Sequence, residues 1–208
     1  HRYRVTFKGP GGHSWGAFGL ANPVHGLARA IHYFDEEAAR YVASGPRTSY
    51  NVGRIGGGTS INSIPFEAWM EVDMRSESPA SLKAISNAFR EAVADAVDEE
   101  NQYRRDGSPL EVEVDQIGLR PSGEVDPATP LVQRAMAVTR LFGQEPHLSR
   151  SSTNSNIPIS HGIPAVTIGR GGAGGGNHSP DEWWVNEDGH LGIQRVLLLL
   201  LAEAGFSG

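Results

Sequence analysis

The stretch Ala68-Trp69-Met70-Glu71-Val72-Asp73-Met74-Arg75 alternates apolar and polar residues without a break. A period of two buries one face of a strand and leaves the other free. Ala68, Met70, Val72 and Met74 therefore belong to a core, and Arg75 points away from it with Trp69, Glu71 and Asp73. Outward along the chain the same alternation recurs three times. Tyr3, Val5 and Phe7 alternate with Arg2, Arg4, Thr6 and Lys8; Tyr50 and Val52 alternate with Ser49, Asn51 and Gly53; Leu110, Val112 and Val114 form a fourth strand. Between the first two strands, Asn22 caps and Pro23 opens a helix whose Val24, Leu27, Ala28, Ile31 and Ala38 make one apolar stripe ending near Val42. After the third, Ser78-Pro79 starts a helix carrying Leu82, Ile85, Phe89, Ala92, Val93 and Ala96 at helical spacing. The order β-α-β-β-α-β predicts a ferredoxin-like, four-stranded antiparallel sheet with two helices over one face, spanning residues 1–117 of an α/β chain.

The pattern changes at Gly118-Leu119-Arg120-Pro121-Ser122-Gly123. Beyond it the spacing predicts a helix over 130–142 stopped by Gly143, a strand near 147–151, a short helix near 156–160, an apolar strand over 163–168 and a final helix over 187–204 with Asn186 as its cap. Such alternation belongs to a doubly wound α/β sheet. Two or three strands in residues 118–208 are too few to close one, because parallel strands need helices on both faces, so this second module is expected to be incomplete. The apolar run 196–202 is far shorter than the roughly 20 residues that cross a bilayer and reads as a buried helix.

With 18 Lys+Arg against 24 Asp+Glu the net charge is -6. That offers no electrostatic footprint for nucleic acid or an anionic membrane, and a cytoplasmic protein is expected. The absence of cysteine removes thiolate metal sites and cysteine nucleophiles together, leaving His and carboxylates as the ligands for any metal. A phosphate loop and a Gly-x-Ser-x-Gly nucleophile elbow are both missing. The glycine tract 169–176 matches G-x-G-x-x-G at Gly169, Gly171 and Gly174, which raises dinucleotide binding as a weak rival, since no helix opens at the third glycine.

Four stretches can carry chemistry. In Gly11-Gly12-His13-Ser14-Trp15 an imidazolium at the end of a strand can polarise a carbonyl or stabilise an oxyanion, although a plain turn histidine is about equally consistent. Gly56-Gly57-Gly58-Thr59 leads to Asn62 and Pro65, followed by Asp73-Met74-Arg75; an amide and a guanidinium suit recognition of a carboxylate or amide. Ser151-Ser152-Thr153-Asn154-Ser155-Asn156 reads as helix capping by default. Asn177-His178-Ser179-Pro180-Asp181-Glu182-Trp183-Trp184 places a histidine on a loop after the apolar strand, where open α/β sheets put their ligand sites.

Taken in order, these stretches and the lid topology resemble the dizinc peptidase and deacylase family of carboxypeptidase G, peptidase T, acetylornithine deacetylase and succinyl-diaminopimelate desuccinylase. The resemblance implies a lid, or dimerisation, domain at 1–117 and the C-terminal portion of a catalytic domain at 118–208. It further implies zinc, two ions in the complete enzyme, a peptide or N-acyl amino acid substrate, and a homodimer formed through the lid. His178 corresponds to a zinc ligand, His13 to a lid histidine that reaches the partner's active site, and Asn62, Arg75 and Gly169 to substrate-binding positions. Asn154 departs from the pattern, where many relatives carry Asp. The family's His-x-Asp pair, catalytic Glu and further acidic ligands have no counterpart here, so the isolated chain is expected to be inactive. A non-catalytic dimerisation or ligand-binding module derived from the same scaffold is the alternative.

Overall fold

A computed structural model describes residues 1–205, which divide into two compact units, His1–Leu119 and the residues from Arg120 onward. In the first unit, β1 (Arg2–Lys8), β3 (Thr48–Gly57), β5 (Glu67–Ser76) and β6 (Glu111–Gly118) form one antiparallel sheet in the order β3-β5-β1-β6. Helices α1 (Pro23–Val42) and α2 (Pro79–Tyr103) cover one face. Their starts are set locally: the Asn22 side chain accepts the Val24 N–H, the Ser78 hydroxyl accepts the Ser81 N–H, and a proline follows each cap.

The alternation legible in the sequence is what the sheet uses. Tyr3, Val5 and Phe7 on β1 and Ala68, Met70, Val72 and Met74 on β5 are buried beneath the helices. Phe34 of α1 sits edge-on to Phe89 of α2 at 5.0 Å and to Tyr50 of β3 at 5.2 Å, which locks both helices to the sheet. Each such buried side chain contributes about 1.5–3 kcal/mol by leaving water. Two further strands of two residues each, β2 (Gly12–His13) and β4 (Ser63–Ile64), pair antiparallel after the ends of the main strands.

The second unit contains α3 (Pro130–Leu141), α4 (Asn156–Ser160), a hairpin of β7 (Ala173–Gly175) and β8 (Trp183–Val185), and α5 (Gly189–Ala204). Several sequence expectations are corrected here. Neither 147–151 nor 163–168 is a strand; a strand exists only through a hydrogen-bonded neighbour, and neither segment has one among the described residues. The cap of α5 is Asp188, at φ 51, and not Asn186. The run 196–202 lies in α5 as expected but is not buried: only Gly192 and Leu199 of the helix are, whereas Ile193 and Leu197 are 72% and 56% exposed. Among the described residues no helix is long and apolar enough to cross a membrane.

Candidate functional site

The β2–β4 pair decides what the first unit can do. It sets His13 against Ser63, and the Ser14 N–H donates to the Asn62 carbonyl at 2.9 Å, so two residues far apart in sequence meet at one end of the sheet. The approach requires Gly11: its φ of +63 is a left-handed conformation, and a Cβ there would lie 2.4 Å from the Phe66 ring. His13 is exposed, and its Nδ1 accepts the N–H groups of both Trp15 and Gly16 at 3.2 Å. With Nδ1 accepting from the backbone, Nε2 is the ring nitrogen left for another partner. Asn62 is set the same way. Its Oδ1 accepts the Ser60 hydroxyl at 3.0 Å, which leaves the Nδ2 donors without a partner among the described residues. Trp15, 88% exposed, and the fully exposed Ile61 flank this pair; neither stood out in the sequence, where Trp15 read as packing.

Arg75 lies elsewhere. β5 begins opposite Lys8, beside the His13 end, and Arg75 pairs with Ser49 near its other end; at about 3.3 Å per residue the two ends are roughly 26 Å apart. Arg75 points to the helix-free face, as the alternation predicted, and its Nε donates to Asp73 at 2.7 Å, while Arg2 donates to the other oxygen of Asp73 at 2.8 Å. Partial burial pushes the Asp73 carboxyl up, but the hydrogen bonds and charges of the two arginines outweigh it and hold the pKa below the ordinary value. Two residues back on the same strand, Glu71 accepts from both Arg4 and Arg54, and both arginines lie over the Trp69 ring. The open face is thus a lattice of paired charges, with Arg75 at its margin.

In the second unit His178 occupies the turn between β7 and β8. Tract glycines form β7 because they admit the tryptophans: Gly174 pairs with Trp184 and Gly175 with Trp183, and a Cβ on Gly175 would meet the Trp183 ring at 3.0 Å. A glycine tract built into a hairpin strand does not lead into a helix N-terminus, which removes the dinucleotide reading. His178 itself has φ 65, a conformation costing a non-glycine residue about 1–3 kcal/mol. Its N–H donates to the Glu182 carboxylate at 3.2 Å, and Ser179 donates from both its N–H and its hydroxyl to the Gly176 carbonyl. The turn therefore holds the backbone and leaves the imidazole exposed. Gly169 gives its carbonyl to the Arg195 guanidinium. Asn154 stands apart from the hydroxyl cluster of Thr153, Ser155 and Thr167, which ties the start of α4 to the segment after it. Among the described residues no three His, Asp or Glu side chains come together as a metal site.

The first unit is thus a ferredoxin-like sheet with His13 and Asn62 at one end and the paired Arg75 toward the other. Residues 1–101 match the family model of the peptidase dimerisation domain, M20_dimer. The chain is 28% identical over 130 residues to the uncharacterized protein YqjE of Bacillus subtilis (strain 168), covering 60% of this chain and 32% of that protein. Its fold is similar to that of aminopeptidase PepT from Bacillus cereus (TM-score 0.65, 20% identity, 98% of this chain and 52% of that one). It is also similar to an amidase of the hydantoinase/carbamoylase family from Burkholderia vietnamiensis (TM-score 0.68, 17% identity, 98% and 47%) and to a tripeptidase from Staphylococcus aureus (TM-score 0.64, 20% identity, 98% and 51%). The chain spans about a third of the length of the curated relative and about half that of the solved ones. At these identities the likeness establishes a shared fold.

Proposed function

We propose that this chain is the lid and the C-terminal catalytic portion of a metal-dependent hydrolase that cleaves an amide bond in a peptide or N-acyl amino acid. The observation that carries the reading is the meeting of His13 and Asn62. Nε2 of His13 and Nδ2 of Asn62 are the nitrogens left unpaired beside one short antiparallel strand pair, with Nδ1 and Oδ1 already engaged, an arrangement that suits an amide carbonyl or the oxyanion it becomes. Arg75, at the far end of the sheet, suits a substrate carboxylate. One lid cannot offer both to one small substrate across roughly 26 Å, whereas two copies can. That supports self-association, with His13 and Asn62 serving the site of the partner copy. His178, exposed on a strained turn beside Glu182, is proposed as one ligand of a metal centre whose remaining ligands lie outside this chain. The exposure of Ile193, Leu197 and Leu200 on α5 supports the same incompleteness, because a run of large apolar side chains on a helix belongs against further structure.

The isolated chain is then inactive. Amide hydrolysis by it, or tight stoichiometric zinc, would overturn that statement. In a protein that joins this chain to a complete metal-binding half, His13→Ala lowers kcat on dipeptides or N-acetyl amino acids by about 100-fold or more with little change in KM, the loss typical of one oxyanion donor. An unchanged kcat removes His13 from the reaction.

A further inference from the structure

We propose that Arg2, Asp73 and Arg75 form one carboxylate-binding site, in which Asp73 is the positioning residue that aims the Arg75 guanidinium and Arg2 supplies the charge that leaves the cluster cationic. The inference rests on the reading of Arg75 as the group that meets a substrate carboxylate, and names what fits Arg75 for that task.

The helix-free face of the sheet carries four arginines on two carboxylates, and they are not used alike. Arg4 and Arg54 each give a terminal nitrogen, Nη1, to Glu71 and lie over the Trp69 ring. Their forks are occupied within the chain. Arg2 and Arg75 instead give only Nε, to Oδ1 and Oδ2 of Asp73 at 2.8 and 2.7 Å, and their terminal nitrogens have no partner among the described residues. A guanidinium held through Nε has its plane fixed while Nη1 and Nη2 stay free as a planar fork, the geometry that takes a carboxylate through two parallel hydrogen bonds. The Arg2 and Arg75 side chains are 57% and 56% exposed, so both forks are open to a ligand.

The backbone builds the cluster. Arg2 lies directly opposite Asp73 in the β1–β5 register, and Arg75 follows Asp73 by two residues, which places all three on one face. On the other side β3 sets Ser49 opposite Arg75 and Asn51 opposite Asp73, and neither brings a competing anion. Held below the ordinary carboxylate value despite partial burial, Asp73 is ionised at neutral pH. Arg75 with Asp73 alone would then be a neutral pair, and an incoming anion would meet the Asp73 charge at close range. With Arg2 added, two guanidinium charges against one carboxylate leave a single positive charge, which matches a single substrate carboxylate.

Charge and positioning predict opposite signs for one substitution. If charge alone mattered, Asp73→Ala would make the cluster more cationic and improve its hold on an anion; if Asp73 aims the fork, the same change weakens it. In a protein that joins this chain to a complete metal-binding half, N-acetylalanine or alanylalanine, whichever is cleaved, is compared with its C-terminal carboxamide, and the readout is the acid-to-amide ratio of kcat/KM. The unsubstituted protein should favour the acid. Asp73→Ala should lower the ratio about tenfold, with the loss in KM for the acid and not in kcat. Asp73→Asn, whose one amide oxygen cannot hold both arginines as the carboxylate does, should fall between, and Arg2→Gln should also lower the ratio. Glu71→Gln, which removes an equal charge from the same face without touching Arg75, should leave it unchanged. A protein indifferent to the carboxylate, or an Arg75→Ala variant that keeps the ratio, overturns the reading of Arg75 itself. A ratio lost in Arg75→Ala but kept or raised in Asp73→Ala leaves that reading standing and overturns the positioning role, and so does an equal loss on acid and amide, the mark of a merely structural Asp73. A ratio unmoved by Arg2→Gln removes Arg2 from the site.

Discussion

Replacing Glu100 with alanine should cost the lid about 2–3 kcal/mol, and the figure follows from what its carboxylate holds. Glu100 is 4% exposed between α1 and α2. It accepts a hydrogen bond from the Arg29 guanidinium and another, at 2.8 Å, from the Asn22 N–H, which lies at the start of α1. Breaking a fully buried ion pair by removing one partner costs about 3–5 kcal/mol, because the other charge is stranded. Arg29 is only partly stranded: it keeps Glu99 at 3.3 Å, lies over the Tyr103 ring, and its side chain is about a quarter exposed, which brings the expected loss below that range. The orphaned Asn22 N–H adds roughly 1 kcal/mol. Native-state hydrogen exchange of the β1 and β5 amides reads the lid separately from the second unit, and protection there should fall about 30- to 150-fold. Arg29→Ala, which strands the nearly buried Glu100 carboxylate, should lose at least as much as Glu100→Ala, and the double-mutant cycle should show a coupling of at least about 1 kcal/mol. Wild-type protection in Glu100→Ala, or additive single losses, would refute the claim that this pair staples the two helices.

Two pH predictions follow from the sheet. The Tyr50 hydroxyl donates to Asp35 at 2.6 Å, and that bond, then partial burial, then the negative charge, raise its pKa to about 12. Its folded value lies above the unfolded one, so the stabilisation is complete below pH 10 and lost as pH rises through about 12. By ultraviolet titration it should ionise well above pH 10, and Tyr50→Phe should abolish that late step; a phenolate at Tyr50 near pH 10 would contradict the Asp35 bond. For Asp73, burial raises the carboxyl and the Arg2 and Arg75 bonds more than reverse it. Its stabilisation is therefore full above the ordinary value of 3.8 and lost as pH falls through the lower folded value. The urea midpoint of the lid should hold from pH 7 to about 5 and drop below about 4, and Asp73→Asn should flatten part of that drop; an acid slope unmoved by Asp73→Asn excludes the arginine pairing as its source.

The lid was legible because every level of its sequence agrees. Period-two strands, capped helices and a helical stripe all point to one core, and Phe7, Met70, Phe34 and Phe89 are where that agreement predicts. What escaped reading had no period to read. β2 and β4 are two residues each, too short for any alternation, yet they are what brings His13 to Asn62. Glycine carries no hydropathy pattern, so β7 was hidden; the one available signal was the Trp183-Trp184 pair, large rings that need a bare backbone opposite them, and glycine supplies it. The candidate residues themselves stood out by chemical type, but their grouping did not: the sequence gives no measure of the sheet length that separates Arg75 from the other two.

The misread strands of the second unit carry a different lesson. Residues 163–168 have the composition of a buried parallel strand, and α5 has that of a buried helix, but neither is enclosed within this chain: Ile163 is 58% exposed and Leu200 61%. Composition reports the environment for which a segment is suited, whereas secondary structure and burial require the neighbours to be present. The lid brings all its own neighbours and forms a closed core; the second unit does not. A disagreement of this kind, apolar segments with the composition of interior structure and the exposure of a surface, is itself a measurement of missing layers.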